Sequence, residues 1–203
     1  MGHRQEENAQ IKHQVIRPKS ISLKASVGTP TIWLTYSFAP EWFNDALNEA
    51  RTGRDHHSRR REILFAICAA ESYILEWVRD EVLRRDFDKL RKYFPPGKRR
   101  GVRKKWKKIP KELYRDGQIS NKPNWGGTEW QNFEELVNYR DGLVHARASR
   151  PETSSLSDDE KPLPSKTDLD RMLPGWAVQR IVTLIRYLHG AVGTSAPDWL
   201  VDV

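Results

Sequence analysis

Residues 138–150 read NYRDGLVHARASR and place an arginine, a carboxylate and a histidine (Arg140, Asp141 and His145) within an otherwise apolar helical pattern. Phe133, Leu136, Val137, Leu143 and Val144 mark the apolar stripe, and its three-to-four-residue progression passes through Arg140. A guanidinium at such a position is costly unless it is paired or kept wet, so it demands a carboxylate, a cavity or an anion. Asp141 and His145 are four residues apart and share a polar strip with Asn138 and Ser149, where the carboxylate can orient the imidazole and favour its protonated form. Gly142 between them is either a helix end or a point of close approach to the backbone. On a regular helix Arg140 and His145 are separated by roughly 140°. Gripping one substrate would need a distortion of the helix at Asp141–Gly142 or a second copy of the motif alongside.

The elements that must position these groups are mainly helical. A capping-box pattern, TEWQ from Thr128 to Gln131, opens the helix that carries them. Before it, residues 58–85 form a long helix with Leu64, Ile67, Ala70, Ile74, Trp77 and Val78 on one broad core face. Glu71 lies on the same buried-looking side, where it is a structural partner for Arg140. A shorter helix after Pro40 offers Trp42, Phe43, Ala46, Leu47 and Ala50, and a last one, residues 174–192, offers Trp176, Val178, Ile181, Val182, Ile185 and Leu188. Residues 11–38 are rich in β-branched and aromatic types and read as two or three short strands. The expected organisation is an N-terminal β extension over 1–39, a helical domain over 40–194 and a tail over 195–203. Two loops are expected within the helical domain, a basic one over 95–111 and a flexible acidic one over 150–166.

With 203 residues the chain can build one domain with a substantial core, and its net charge of +8 and pI near 9.6 favour an anionic partner. Nucleic acid comes before an acidic membrane, because no basic amphipathic membrane helix or lipidation signal is evident. The run over residues 98–108 concentrates that charge. Its Arg103, Lys104, Lys105, Lys107 and Lys108 are suited to RNA phosphates and its Trp106 to base stacking; an ordinary solvated loop is the competing reading. The lone cysteine, Cys68, permits no internal disulfide or cysteine-based zinc cluster and reads as an inert buried thiol. Adjacent His56 and His57 should point apart on a helix, and His189 reads as a donor or cation near a helix C-terminus. No metal or other cofactor is called for. The opening MGHRQEENAQ has no hydrophobic signal core and no segment reaches the roughly 20 apolar residues of a membrane span, so a cytoplasmic protein is expected.

The segment RDGLVH, from Arg140 to His145, resembles the Arg-x4-6-His motif of the HEPN superfamily, with a polar residue directly after the arginine. The likeness extends to the earlier helix EILFAICAAESYILEW and to the terminal helix, over roughly residues 41–192. It implies an up-and-down helical bundle, commonly dimeric, and a metal-independent endoribonuclease of the kind found in toxin, antiphage and RNA-processing systems. An antitoxin or other regulatory protein would be a natural partner. On that resemblance His145 is the general acid or base in attack of a ribose 2′-hydroxyl on the adjacent phosphate, Arg140 stabilises the phosphorane and Asp141 positions the histidine or ribose. The family most often has asparagine where this chain has Asp141. The alternative is a non-catalytic member of the same fold, serving as an RNA-binding or protein-assembly module.

Overall fold

The computed structural model describes residues 37–95, 100–144 and 166–202. The chain divides into two units, 1–36 and 37–203, and all the described residues belong to the second. The strands expected over 11–38 and the acidic loop expected over 150–166 lie outside the described residues except at their ends, where Ser37 and Phe38 are not strand and Lys166 opens a helix.

Seven α-helices make up most of the described chain: α1 (Ala39–Thr52), α2 (His56–Glu76), α3 (Phe87–Tyr93), α4 (Val102–Arg115), α5 (Thr128–Val144), α6 (Lys166–Arg171) and α7 (Trp176–Val192). No strand occurs among the described residues. Helix α1 opens with Pro40 in its first turn and buries Phe43, Ala46, Leu47 and Ala50, as the three- and four-residue spacing requires. It stops at Gly53, where any side chain would collide: an added Cβ would lie 2.2 Å from Ser58 Cβ and 2.6 Å from the Glu49 carbonyl. Two residues later Asp55 caps α2 by accepting from the Ser58 amide at 2.8 Å.

Helix α2 continues into a π-helical turn, Trp77–Val82, and ends where Arg84 and Arg85 take left-handed φ values of 49° and 66°. It is the central element and packs on α1, α4, α5, α6 and α7. Its own carboxylates determine where two neighbours begin. Glu76 accepts from the Phe38 and Ala39 amides and from Ser37, which sets the start of α1 beside the end of α2 and makes the two antiparallel. About four turns earlier Glu62, fully buried, accepts from the Ala177 amide at 2.9 Å and from the Gly175 amide at 3.4 Å, holding the start of α7. Tyr73 meets His189 further along, so α2 and α7 run parallel. Glu135 pairs with Arg180 and Tyr139 packs on Trp176, so α5 runs against α7. The helices α1, α2, α5 and α7 thus alternate in direction along the chain.

Residues 102–111 of the segment expected as a basic loop belong to α4. Its Val102, Trp106, Ile109 and Leu113 recur at four, three and four residues and are all buried, which is a helical stripe concealed between lysines. Pro110 lies inside this helix and is itself buried. Helix α5 starts one residue earlier than a Thr128 cap requires, since the Gln131 amide bonds to the Gly127 carbonyl at 3.2 Å. Residues 195–202, expected as a tail, close one end of the core: Trp199 packs on Phe43 and Tyr73, and Leu200 is buried.

Candidate functional site

Helix α5 buries Trp130, Phe133, Leu136 and Val137 and then, one turn on, brings Arg140 to the edge of the same stripe. Arg140 is 22% exposed, and its Nη1 lies 3.0 Å from Asp141 Oδ1 as an ion pair. Its Nε is buried and meets no hydrogen-bond acceptor among the described residues. The other oxygen of Asp141, Oδ2, accepts from Arg103 Nη1 at 3.0 Å, and Arg103 Nη2 donates to Asn138 Oδ1 at 2.7 Å. One carboxylate therefore lies between two guanidiniums that come from different helices. Arg103 and Asp141 are 34% and 37% exposed, so solvent reaches the whole bridge. His145, Ser149 and the rest of the motif after Val144 lie outside the described residues.

Glu71 pairs with Lys105, whose Nζ lies 2.5 Å from its Oε1; the structural pairing expected between Glu71 and Arg140 is replaced by this one. Arg140 has its carboxylate next door in sequence, while Lys105 projects from α4 toward α2. Cys68, half-buried between these groups, has its thiol raised above the usual value by burial and then by the charge of Glu71, with Arg140 opposing. Both causes favour the neutral thiol.

The basic run divides into two faces once it is helical. Trp106 is wholly buried, donates its indole N–H to the Ala70 carbonyl at 3.1 Å and stacks against Tyr73, Trp125 and Phe133. It is a core residue, and the base-stacking role expected of it is excluded by the side chains that cover it. Arg103 and Lys105 turn toward the polar cluster. Lys104, Lys107 and Lys108 remain exposed, and the same solvent face continues beyond residue 108 through Lys111 and Arg115. Lys104, Lys108 and Lys111 have no ion-pair partner among the described residues, and Lys107 lies over the Trp130 ring. The three-to-four-residue spacing of these cations is the signal in the sequence for one continuous face.

Other groups singled out in the sequence are placed differently. The His56 and His57 rings do not point apart: their centroids are 3.9 Å from each other, and His56 Nδ1 lies 3.7 Å from Asp170. Among the described residues no three His, Cys, Asp or Glu side chains come together as a metal site requires. His189 is buried, bonded to Tyr73 through Nε2 and to Thr194 through Nδ1, and burial lowers its pKa, so it is a neutral link in the core and not a cation. An open depression of about 240 Å³ borders Gly53, Arg54, Asp55, Leu169 and Asp170, and the arginine at its base, Arg59, is already held by Glu62 at 2.6 Å. Phe133 and Val137 of the apolar stripe are 0% and 1% exposed within the single chain and so are not free for a homodimer contact, whereas Val144 is 54% exposed.

Taken together, fold and site define a mainly helical protein with an arginine-rich polar cluster beside a lysine-covered helix face. Comparison with protein-family models, curated proteins and solved structures finds no match. No helix among the described residues is long and apolar enough to cross a membrane.

Proposed function

We propose that this chain is a HEPN-like endoribonuclease that cleaves RNA by attack of a 2′-hydroxyl on the adjacent phosphate. The observation that carries the reading is the excess of cation over anion around Asp141 among the described residues: two guanidiniums share one carboxylate, at a solvent-accessible place four residues before His145. Guanidinium forks match phosphate oxygens, and donors aimed at a phosphorane stabilise charge where it develops. The lysine face of α4 adjoins the cluster through Arg103 and offers the backbone contacts that hold a strand in place. In this reading His145 moves the proton at one of the two oxygens that change protonation, and Asp141 orients it or the ribose. The cleavage needs no metal. A homodimer would bring each Arg140 to the other chain's His145, and exposed Val144 would lie near that contact.

A second reading has its own support. Asp141 sits between the two arginines and opposes a phosphate there, which suits a protein that binds RNA or another protein through α4 without cleaving. One experiment separates the two. Purified protein is incubated with mixed RNAs in excess EDTA, and the new ends are examined for cyclic phosphate. Cyclic ends that disappear with Arg140→Ala and with His145→Ala support the nuclease; intact RNA that is nevertheless bound supports the module.

A further inference from the structure

We propose that Arg103 and Arg140 form a cross-helix clamp for an RNA phosphodiester and that Asp141 occupies this clamp at rest as an internal competitor. The clamp deepens the ribonuclease reading and rests on it for RNA as the source of the phosphate. It makes Arg103, from a part of the chain remote from the motif, a positioning residue of the same site.

Four observations support the clamp. Asp141 presents one oxygen to each arginine, each at 3.0 Å, which is how a phosphodiester would present its two non-bridging oxygens to a pair of guanidiniums. Among the described residues the charges do not balance: Arg103 and Arg140 share the single carboxylate of Asp141, while the neighbouring Lys105 and Glu71 satisfy each other. Donors are left over, since a guanidinium carries five N–H groups and the buried Nε of Arg140 meets no acceptor among the described residues. The bridge also joins two separate helices, so opening it disrupts no hydrogen bond within either one. Arg103 stands in the first turn of α4, at the positive end of that helix, with Lys104 beside it and Lys107 and Lys108 one turn further. A strand lying along those lysines would therefore meet Arg103 as it reached the motif.

Neutralising Asp141 makes its surroundings more positive, so affinity for anions rises even beside a purely structural bridge. What separates a clamp is that the rise depends on Arg103, because the freed donors of both arginines then grip the same phosphate. The probe is a fluorescent oligodeoxyuridylate, which lacks the 2′-hydroxyl and so cannot be cleaved by this chemistry. It is titrated into the full chain by anisotropy, with inorganic phosphate as competitor and thermal denaturation run in parallel. Asp141→Asn should bind the oligonucleotide about tenfold more tightly than wild type, the size of one charge-assisted hydrogen bond. The gain should shrink severalfold in the Arg103→Ala background, and Arg103→Lys, which keeps the charge without the fork, should fall between. An equal gain with and without Arg103, or no gain at all in a folded Asp141→Asn chain, overturns the clamp. If Asp141→Asn does not fold, the comparison is made between Arg103→Lys and Arg103→Ala, and equal affinity for the two overturns it. Inorganic phosphate that displaces the probe as well as unlabelled oligonucleotide does would overturn RNA as the ligand. Probe binding that meets these expectations in a protein that leaves RNA intact would remove the nuclease reading and keep the clamp; cleavage without them would do the reverse.

Discussion

Helix α2 carries one charged cluster and packs on α4 and α5, which carry another built from the same kinds of side chain, and the two differ in how completely each charge is answered. In one, Arg59 and Glu62 are 4% and 0% exposed; Arg59 bonds to Glu62 and to the Gly53 carbonyl, and Glu62 also accepts two amides from the start of α7. In the other, Arg103, Asp141 and Arg140 are each between a fifth and two-fifths exposed, with two cations to one anion and a buried donor unanswered among the described residues. A charge taken fully out of water must find partners for its whole hydrogen-bonding capacity, and a closed cluster of that kind can do nothing but hold helices together. An open cluster with surplus donors contributes less to stability and keeps the capacity to bind. The contrast teaches that the level of exposure and the charge balance, more than residue type, separate a structural arginine from one free to act.

The comparison breaks most visibly if the closed cluster proves dispensable. Glu62→Ala leaves Arg59 unpaired and α7 uncapped, and should cost about 3–5 kcal/mol of stability in urea denaturation. A loss as small as that of a surface substitution would mean that water answers Arg59 after all. Trp106→Ala should cost a similar amount, about 3–5 kcal/mol, because the indole is wholly buried. In the open cluster the expected effect falls on activity: Arg140→Ala should slow RNA cleavage by about 10²–10³-fold while shifting the denaturation midpoint far less than Glu62→Ala does. If Arg140→Ala melts as early as Glu62→Ala, the distinction between the clusters fails.

A smaller effect concerns His189. Burial lowers its pKa from 6.5, so the unfolded chain binds this proton more readily than the folded one does. The contribution is present in full above pH 6.5 and is lost as pH falls from there through the folded value. Urea midpoints at pH 7.5 and pH 5.5 should therefore fall further for wild type than for His189→Gln, which cannot titrate. Equal falls would place the pH dependence elsewhere. The smallest change in stability is expected from replacing Lys104, Lys107, Lys108 and Lys111 together, with the thermal midpoint almost unmoved. RNA affinity should drop, and the salt slope should flatten by about one for each phosphate contact removed. An unchanged slope would mark the face as simply solvated.

Much of the frame is legible from local pattern. Helices α1, α2, α5 and α7 form where three- and four-residue spacing places them, because the spacing of apolar residues along one helix is a local property. The run containing α4 reads as a loop for a specific reason: Pro95, Pro96 and Gly97 before it and Pro110 within it suggest breaks, and dense lysine hides the stripe Val102, Trp106, Ile109 and Leu113. Counting that stripe recovers the helix and, with it, the burial of Trp106. The partners of Arg103 and Lys105 leave no comparable trace, since the residues that answer them are more than thirty positions away.

By itself the sequence determined that this is a basic, mainly helical chain and that an arginine interrupts the apolar stripe of α5, because composition and helical period depend only on residue order. Tertiary structure decided which charges are answered. Glu71 faces Lys105 and not Arg140, Arg103 crosses from α4 to hold Asp141, and Phe133 and Val137 are enclosed in the chain's own core. A helix presents faces according to its period, but the neighbour that covers each face is chosen by how all the helices pack at once, and no local pattern carries that information.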